Sequence, residues 1–383
     1  MTALQTAPLV RTAILSAAAS MLAMPLVIRM ATSRGWVVPP SSNRWHRRPV
    51  ALSGGIGILV AVTVGLLSTG DARAIWLIVP IAVLSVLGFI DDRTLVGPGK
   101  KLIVESLIAL WVVWSGERFL PGLSAVASIP LTMLWIVGVT NSLNLLDNMD
   151  GLAGGVAATV GAMAALVGIL QGDQLTALVG LATCAATLGY LPFNFPRARI
   201  FMGDCGSLFL GFLAAWLALR VGRHATSPIQ SIFLYIAVAG VALLDTSLVT
   251  VARLRAGRRV QDGGRDHTSH RLVYLGLGEA SAVSTLVLLA FTGLPTLLLT
   301  VTGSPVAAIG SGLLQVMVLG FVWWFVTRVD PYSLAPVTGV ASAAPVEAPP
   351  APRTESRPSA PIARVSRPEP RMLEESIAAE PRG

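Results

Sequence analysis

The chain has 383 residues, of which 54% are hydrophobic and 13% are charged, and its mean hydropathy is +0.71. Soluble globular domains contain about 25% charged residues, so this composition excludes a soluble fold and indicates a polytopic membrane protein. The formal net charge of +8 comes almost entirely from arginine, since Lys100 and Lys101 are the only lysines, and guanidinium groups suit both phosphate binding and cytoplasmic loops.

Eleven predominantly apolar runs approach the roughly 20 residues that a membrane-spanning helix needs. The tenth and eleventh runs are separated only by Gly303 and could instead form one re-entrant unit. We therefore predict an all-α polytopic integral membrane protein with about 11 transmembrane helices and cytoplasmic catalytic loops. The runs lie at 12–28, 50–70, 74–90, 102–116, 121–140, 152–170, 174–192, 206–221, 229–252, 280–302 and 304–327.

The first run has some features of a secretory signal. Arg11 precedes it, and the alanines at 17–19 loosely resemble a cleavage site. However, the apolar residues continue to Ile28 before Arg29 ends the run. We therefore expect a retained first span rather than a removed signal peptide.

Basic residues are distributed unevenly between the two predicted sides of the membrane. Connections that follow odd-numbered spans carry 17 lysines and arginines, whereas the N-terminal segment and the even-numbered connections carry 5. Because positive charges are enriched in cytoplasmic loops, this bias predicts an N-terminus outside and a C-terminus in the cytoplasm. The acidic and histidine motifs described below all fall on the cytoplasmic side, which favours one shared site.

The composition changes near Ala335 to a sequence rich in proline, alanine, serine, arginine and glutamate. Such a segment has too few large apolar residues to form a core and is expected to be disordered. We predict a transmembrane domain over residues 1–334 and a disordered cytoplasmic tail over 335–383. The tail is interpreted as a solvated linker, and partner binding is the alternative.

Paired carboxylates, Asp91 and Asp92, end the third predicted span. Adjacent carboxylates repel each other, so a nearby cation such as Lys101 or Mg²⁺ would favour keeping both ionised. A simple stop signal at the helix end is the alternative. Acidic residues are poor signals for a cytoplasmic helix end, so we interpret the pair as functional.

Four polar residues recur every three positions after the fifth span: Asn141, Asn144, Asp147 and Asp150. On a helix this spacing sweeps the side chains around nearly half of the cylinder, which fits the rim of a cavity better than one buried stripe. A hydrogen-bond network between helices is the alternative. Two carboxylates would make such a network costly in a membrane, so we favour a ligand-binding rim.

The most specific stretch runs from Asn194 to Ser207 and includes Phe201, Gly203 and Asp204. Its glycines permit a tight turn into the eighth helix, and Asp204 lies near the N-terminus of that helix, where backbone N–H groups favour anions. Asp204 could act as a helix cap alone or carry chemistry. Phe201 could lie in the core or stack on a base.

Two histidines at i and i+3, His267 and His270, share a basic loop with Arg271. Protonatable histidine and arginine suit a diphosphate, whereas a zinc site would need further ligands that the loop lacks. A solvated basic loop without a ligand is the alternative. Asp245, in the ninth span, either pairs with Arg253 or faces the cavity.

Together and in this order, these stretches resemble the bacterial polyprenyl-phosphate N-acetylhexosamine-1-phosphate transferases. The motifs N-x-x-N-x-x-D-x-x-D-G-L at 141–152 and F-M-G-D-x-G-S at 201–207 are jointly specific, and the resemblance covers about residues 35–328. It implies transfer of a sugar-1-phosphate from a UDP-sugar to undecaprenyl phosphate with release of UMP, which starts cell-envelope glycan synthesis at the bacterial inner membrane. It also implies Mg²⁺, or Mn²⁺ in its place, as cofactor. A homodimer is possible, and no nucleic-acid partner is expected.

The resemblance also implies roles for individual residues. Asp204 matches the Mg²⁺ ligand, with help from Asp91 or Asp92, of which we favour Asp92. Either acid of that pair could be the base or hold the lipid phosphate, and Lys101 matches a lysine beside them. The positions that match the nucleotide pocket are Asn144, Asp147, Asp150, Asn194 and Phe201, with Phe201 stacking on uracil. The residues that match the histidine-rich loop near the diphosphate or sugar are His267, His270 and Arg271.

Two departures from the family pattern bear on the substrate. Many members read R-K-x-H-x-x-P-x-P-x-x-G-G in the first cytoplasmic loop, where this chain keeps a basic residue at Arg44 and the histidine at His46 but has Asn43 and Ala51. We include Arg44 and His46 among the substrate-binding residues. The muramoyl-pentapeptide transferases carry adjacent histidines, whereas this chain has His-Thr-Ser-His at 267–270.

These departures favour UDP-GlcNAc or a related UDP-N-acetylhexosamine, and UDP-MurNAc-pentapeptide is the alternative. An ion-coupled transporter is the alternative of another class. A transporter should place acidic residues near the bilayer midplane in matching repeats. Here most acidic residues cluster at one face and no internal repeat is visible, which favours the transferase.

Overall fold

The computed structural model describes residues 3–40, 48–120 and 122–333. Arg44, His46 and the predicted tail over 335–383 lie outside the described residues. Within them the chain forms fourteen α-helices and two short strands. The helices are α1 (Ala3–Ser33), α2 (Gly55–Thr69), α3 (Ala72–Trp76), α4 (Ile78–Thr94), α5 (Pro98–Trp114), α6 (Ala125–Leu146), α7 (Leu152–Gln171), α8 (Gln174–Tyr190), α9 (Asp204–Gly222), α10 (Pro228–Arg255), α11 (Thr268–Tyr274), α12 (Glu279–Phe291), α13 (Leu294–Val301) and α14 (Pro305–Val326).

The described residues include nine helical segments that are long and apolar enough to cross a membrane. They coincide with nine of the eleven predicted spans, which confirms an all-α polytopic membrane protein. The other two predicted spans correspond to α2, with 15 residues, and α5, with 17 residues. Both are shorter than the roughly 20 residues that a bilayer requires, so the number of eleven spans stays a prediction.

Helix α9 lies at the centre of the bundle. An 18-residue stretch of α9 is completely buried, and the helix contacts α2, α4, α6, α7, α8 and α10. A helix that is apolar all round is typical of such a central position, because no face of it needs to meet water. The charged residues of α9 are therefore confined to its ends, with Asp204 in the first turn and Arg220 in the last.

Two glycines let neighbouring helices approach the first turn of α9 closely. A Cβ atom on Gly88 of α4 would lie 2.2 Å from the carbonyl carbon of Asp204. A Cβ atom on Gly55 of α2 would lie 2.2 Å from the backbone nitrogen of Gly206. Because side chains are excluded at both points, the end of α4 and the start of α2 pack against the α9 backbone itself.

The segment before α9 is fixed by backbone pairing with the segment before α2. Strand β1 (Val37–Val38) pairs antiparallel with β2 (Val50–Ala51). The N–H of Phe201 donates to the carbonyl of Ala51 at 2.8 Å, and the N–H of Gly54 donates to the carbonyl of Phe201 at 2.8 Å. The turn into α9 is therefore held by the loop that precedes α2.

Candidate active site

Two carboxylates converge on one ammonium group where α4 ends and α5 and α9 begin. Lys101 Nζ lies 2.9 Å from Asp91 Oδ2 and 2.7 Å from Asp204 Oδ2. Asp204 stands 103 residues after Lys101 in the sequence, so only the packing of α5 against its neighbours unites them. With Asp92 and Asn144, described next, these three residues form what we call the acidic cluster.

Asp92 differs from Asp91 in its partners. Its Oδ1 accepts a hydrogen bond from the N–H of Asp204 at 2.9 Å, and its Oδ2 accepts one from the N–H of Cys205 at 3.3 Å. These N–H groups belong to the first turn of α9, which has no partners for them within the helix. Asp92 thus caps the first turn of α9, whereas Asp91 is turned towards Lys101; the role of second metal ligand that we predicted for Asp92 stays a prediction.

Asn144 holds the other side of Asp204. Its Nδ2 donates to Asp204 Oδ1 at 2.9 Å and to Ser207 Oγ at 2.8 Å. Each oxygen of Asp204 therefore has a fixed donor, Asn144 on one side and Lys101 on the other. This geometry orients the carboxylate. Asp204 is not the helix cap that the sequence left open as the alternative, because Gly203 holds the N-cap position and Asp204 is the first residue of α9.

Glu105 is a site residue that the sequence analysis did not single out. Its side chain is buried, and Oε2 accepts a hydrogen bond from Asn141 Nδ2. Residues at i and i+4 share a helix face, so Glu105 lies one turn below Lys101 on α5. The i, i+4 spacing of a lysine and a glutamate inside an apolar run was the signal that could have found it.

The turn between α6 and α7 is tied to the loop before α9. The side chain of Asn194 accepts from the N–H of Gly151 at 2.7 Å and donates to the carbonyl of Ile200 at 2.9 Å. Asp150 Oδ2 accepts from the N–H of Ala198 at 2.8 Å. Asn194 is buried, so it links the two loops and is placed to position them rather than to contact a nucleotide.

The remaining residues predicted for the nucleotide pocket lie beside this link. Asp147 ends α6 as its C-terminal cap residue. Phe201 is partly exposed, which disfavours the core position that the sequence left open. Asp147 and Asp150 thus lie at the turn between α6 and α7, and Phe201 lies in the loop that is tied to this turn; their contact with a nucleotide stays a prediction.

The histidine loop is organised around Asp245. His267 Nδ1 lies 2.8 Å from Asp245 Oδ2, and the N–H of Thr268 donates to Asp245 Oδ1 at 2.7 Å. Arg253 does not pair with Asp245, as one of our two interpretations had it, but donates two hydrogen bonds to Asp266 at 2.8 and 2.9 Å. Asp245 therefore fixes the ring orientation of His267 and caps α11.

Arg271 does not face the acidic cluster. It is buried; its Nε donates to the carbonyl of Asp266 at 2.9 Å and its Nη1 to the carbonyl of Val329 at 2.6 Å. Burial lowers the pKa of this guanidinium from its ordinary value. The structure thus uses Arg271 to join the histidine loop to the end of α14, and a contact of Arg271 with the diphosphate stays a prediction.

Two ionisable groups of this loop have strongly shifted pKa values. Burial, with the nearby His267, lowers the pKa of His270 to about 3. Burial alone would raise the pKa of Asp266, but hydrogen bonds from Arg253 and Tyr332 outweigh it and lower the pKa to about 2. His270 is therefore neutral and Asp266 ionised at pH 7.

One hydrogen bond connects the histidine loop to the nucleotide turn. Ser269 Oγ donates to Asn148 Oδ1 at 2.6 Å, across 121 residues of sequence. Asn148 lies between Asp147 and Asp150, so α11 reaches the rim that carries both carboxylates. Asn148 and Ser269 were missed from the sequence, because neither belongs to a residue class that indicates chemistry by itself.

The carboxylates of the acidic cluster limit the kind of metal that the site can take. Among residues 3–40, 48–120 and 122–333, no group of three or more histidine, cysteine, aspartate or glutamate side chains is placed to hold a metal ion. Mg²⁺ instead uses one or two carboxylates and completes its shell with phosphate and water. Asp91 and Asp204, which already converge on a positive charge, fit that ligand set.

The chain has clear relatives among characterised families. The family described as Glycosyl transferase family 4 matches residues 74–222, which include the whole acidic cluster. A Bacillus subtilis protein named probable undecaprenyl-phosphate N-acetylglucosaminyl 1-phosphate transferase is 33% identical over 282 residues, covering 70% of this chain and 78% of the relative.

Two further relatives come from other bacteria. A Mycolicibacterium smegmatis decaprenyl-phosphate N-acetylglucosaminephosphotransferase is 30% identical over 293 residues, which are 65% of this chain and 71% of the relative. The Escherichia coli undecaprenyl-phosphate alpha-N-acetylglucosaminyl 1-phosphate transferase is 24% identical over 278 residues, covering 68% and 76%. The chain therefore belongs to glycosyl transferase family 4, among the polyprenyl-phosphate N-acetylhexosamine-1-phosphate transferases.

Proposed function

We propose that this membrane protein transfers N-acetylglucosamine-1-phosphate, or a closely related N-acetylhexosamine-1-phosphate, from a UDP-sugar to undecaprenyl phosphate and releases UMP. One observation carries the proposal: Asp91 and Asp204 converge on Lys101 at the buried start of α9, next to the motif-bearing turns. The names of the three relatives support the lipid acceptor and the transferred group.

In the reaction, the β-phosphate of the UDP-sugar exchanges its bond to UMP for a bond to the lipid phosphate. An oxygen of the lipid phosphate forms a bond to the β-phosphorus of the UDP-sugar, and the bond from that phosphorus to the bridging oxygen breaks, so that UMP leaves with the electron pair. The second pKa of a phosphate monoester is about 6, so the lipid phosphate is already mostly dianionic at pH 7. The protein therefore mainly has to align two anions and offset their repulsion.

The residues of the acidic cluster divide this work. Lys101 holds an ammonium group at the start of α5, where it can donate to phosphate oxygens when substrates enter. Asn144 orients the carboxylate of Asp204. Asp92 fixes the first turn of α9 and therefore positions Asp204 without facing the substrates itself. Asp91 is the acid of the pair that we assign to the reaction centre.

We propose Mg²⁺, with Mn²⁺ as a substitute, as the cofactor of this site. Asp204 and Asp91 would hold it, in place of the Asp204 and Asp92 pair that the sequence favoured. When bound there, the cation supplies positive charge that offsets the diphosphate and the leaving UMP. The two converging carboxylates support this assignment, because they are the ligand number that Mg²⁺ prefers beside phosphates.

The nucleotide is proposed to lie at the turn between α6 and α7. Asp147 and Asp150 line that turn, and the partly exposed ring of Phe201 can stack on uracil. Asn194 positions the turn through its two backbone contacts. His267, which Asp245 orients, and the neutral His270 are proposed to contact the diphosphate or the sugar.

We propose the bacterial inner membrane as the location, with the N-terminus outside and the active site and C-terminus in the cytoplasm. The bias of 17 basic residues against 5 in the predicted connections supports this orientation. It also agrees with the substrates, since UDP-sugars are cytoplasmic nucleotides. A homodimer in this membrane is part of the proposal.

A doubly labelled donor tests the transfer. Membranes containing the protein are incubated with undecaprenyl phosphate and UDP-GlcNAc that carries ³²P in the β-phosphate and ³H in the sugar. We expect both labels to enter the organic phase together, with UMP released into the aqueous phase. A ³H-labelled lipid without ³²P, with release of UDP, would mean plain sugar transfer and would overturn the proposal.

The same assay with a panel of UDP-sugars identifies the donor. UDP-GlcNAc or a related UDP-N-acetylhexosamine should label the lipid, and UDP-MurNAc-pentapeptide should not. Labelling by the pentapeptide donor alone would contradict the proposed donor and would assign the protein to peptidoglycan precursor synthesis.

A further inference from the structure

A groove runs between α10 and α14 within the membrane-spanning part of both helices. This open groove has a volume of about 390 Å³ and is lined by apolar side chains and by the glycines Gly240 and Gly320, with Ser247 the one hydroxyl in its wall. A Cβ atom on Gly320 would meet no heavy atom within 4 Å, so the groove is open at that point.

A second cavity continues this groove at the end of the two helices. It encloses about 310 Å³, and Trp323 lines both spaces, so the two adjoin. The wall changes character along the way. Beyond Leu248 it includes Arg255, Thr327 and Asp330.

The charged groups in this second cavity leave one guanidinium available. Arg255 is exposed, and among the described residues no hydrogen bond or ion pair to it is present. Asp330 accepts a hydrogen bond from the N–H of Tyr332, within its own turn. Arg271 is committed to backbone carbonyls. An anionic ligand would therefore find a positive group at Arg255.

The length of the groove corresponds to one leaflet of a bilayer. Gly240 and Arg255 are 15 residues apart on α10, which at 1.5 Å per residue is about 22 Å. Half of a bilayer with its headgroup region measures about 20–22 Å. An amphiphile with its headgroup at Arg255 would thus reach Gly240 with its acyl chain.

We propose that this groove binds one anionic glycerophospholipid, with its phosphate at Arg255 and an acyl chain along Gly240 and Gly320. The apolar wall matches the chain, and Arg255 at the end of α10 matches an anionic headgroup, because an arginine near the membrane surface attracts anionic lipids. Trp323, at the junction, lies where aromatic side chains meet the interface.

The acceptor lipid of the proposed reaction is the less suitable occupant. Its phosphate has to reach the acidic cluster, which is built on α4, α5, α6 and α9. Helix α14 makes its main contacts with α10, α11 and α13 instead. A lipid in this groove is therefore a bound structural lipid and not a substrate.

Lipid retention by the purified full-length protein tests the proposal. Native mass spectrometry compares phosphatidylglycerol with phosphatidylcholine of the same acyl chains. Wild type should retain one phosphatidylglycerol with at least about fivefold preference, which is the effect of one arginine near an anionic headgroup. Gly320→Leu fills the groove and should weaken retention of both lipids by at least about tenfold. Arg255→Gln should remove the preference and leave phosphatidylcholine unchanged.

Matched controls keep the result specific. Gly310 also lies on α14 with open space beside it, so Gly310→Leu adds the same bulk outside the groove. Arg259→Gln removes the same charge from an exposed residue that does not line the cavity. Both controls should behave as wild type.

Three results would overturn the proposal. One is phosphatidylglycerol retention that both Gly320→Leu and Arg255→Gln leave unchanged. Another is equal loss of retention in the two controls. The third is stronger retention of undecaprenyl phosphate than of phosphatidylglycerol, abolished by Gly320→Leu, because it would assign the groove to the acceptor. Arg255→Gln changes an exposed side chain, so it keeps the test decisive if Gly320→Leu fails to fold.

Discussion

The two ends of α9 both carry buried charges, but they are balanced differently. At its start, the acidic cluster has three carboxylates, those of Asp91, Asp92 and Asp204, and one ammonium, that of Lys101, which bonds to Asp91 and Asp204. At its other end, Arg220 sits in a network in which acids and guanidinium groups alternate. The first end has surplus negative charge, and the second does not.

The balanced end shows what a structural use of charge looks like in this fold. Arg220 donates to Glu117 Oε1 at 2.9 Å and to Asp173 Oδ1 at 2.7 Å, and its Nε donates to Thr176 Oγ1 at 3.0 Å. Arg223 adds a second contact to Glu117 at 3.3 Å. Every nitrogen of the Arg220 guanidinium thus has a partner, and the network joins α9 to the start of α8 and to the loop between α5 and α6.

The surplus negative charge at the start of α9 costs free energy, and a purely structural role does not explain why it is kept. Two like charges about 4 Å apart repel by about 4 kcal/mol at an effective dielectric of 20. Buried groups are retained against such a cost mostly where they act on a ligand. The contrast therefore supports the proposal that the acidic cluster receives a further cation, whereas the Arg220 network holds helices together.

The largest expected effect is that of Asp204→Asn on turnover. Removing the carboxylate eliminates a ligand of the proposed cation, and loss of such electrostatic stabilisation costs roughly 1000-fold. The double-label transfer assay measures it, and the thermal midpoint should stay close to that of wild type. Asp262→Asn, in an exposed loop, is the matched control. Near-normal turnover of folded Asp204→Asn would remove the metal role.

Arg220→Met should have the opposite profile. Breaking a buried ion-pair network leaves Glu117 and Asp173 without their main partner and costs about 3–5 kcal/mol of stability. Turnover per folded molecule should stay within about threefold of wild type, because the acidic cluster is at the other end of α9. Arg223→Met, at a half-exposed side chain, should cost less than about 1 kcal/mol. The loss of stability is measured as the thermal midpoint in detergent, and turnover is measured on the same samples. Lost turnover with unchanged stability would contradict the structural role assigned to the Arg220 network.

Asn194→Ala should affect both stability and turnover, each less than the variant of Asp204 or Arg220 that affects it most. It leaves the N–H of Gly151 and the carbonyl of Ile200 without their side-chain partners, at about 2 kcal/mol. Because this link positions the nucleotide turn, we expect KM for the UDP-sugar to rise by more than kcat falls. Asn194→Asp keeps the acceptor for Gly151 and should recover part of the loss. An unchanged KM in Asn194→Ala would separate this turn from the nucleotide.

The smallest effect concerns pH. The pKa of His270 is lowered to about 3 by burial, whereas an unfolded histidine titrates near 6.5. Between these values the unfolded chain binds more protons, so stability falls as pH drops below about 6.5, by up to about 1.4 kcal/mol per pH unit. His270→Gln should flatten this slope in thermal midpoints measured from pH 7 to pH 5. Identical slopes in variant and wild type would contradict the buried, neutral state of His270.

Sequence reasoning predicted the apolar helices and singled out the acidic motifs, because hydropathy and residue spacing are local signals. That the acidic motifs and the histidine loop share one site stays a prediction. Asp204 at a helix start and the nearness of Lys101 to the acidic pair were expected and are present in the structure. The division between Asp91 and Asp92 could not be expected. Adjacent residues on a helix point about 100° apart, and which of them faces a partner depends on how α4 packs against α9.

The remaining differences have the same origin. Arg271 looked suited to a phosphate by residue type, but its burial against the end of α14 depends on tertiary packing. Pairing of Arg253 with Asp245 was one of two interpretations, whereas in the structure Asp266, from the following loop, offers Arg253 a bidentate geometry. The Arg220 network unites residues 103 positions apart, and no local pattern predicts such a pair.

Binding of Mn²⁺ to the purified protein, followed by electron paramagnetic resonance in the presence of UMP, tests the surplus of carboxylates most directly. We predict one bound ion that Mg²⁺ displaces in wild type and in Arg220→Met, and none in Asp204→Asn or Asp91→Asn. An ion retained with unchanged affinity in both aspartate variants would contradict the assignment of the divalent cation to the start of α9.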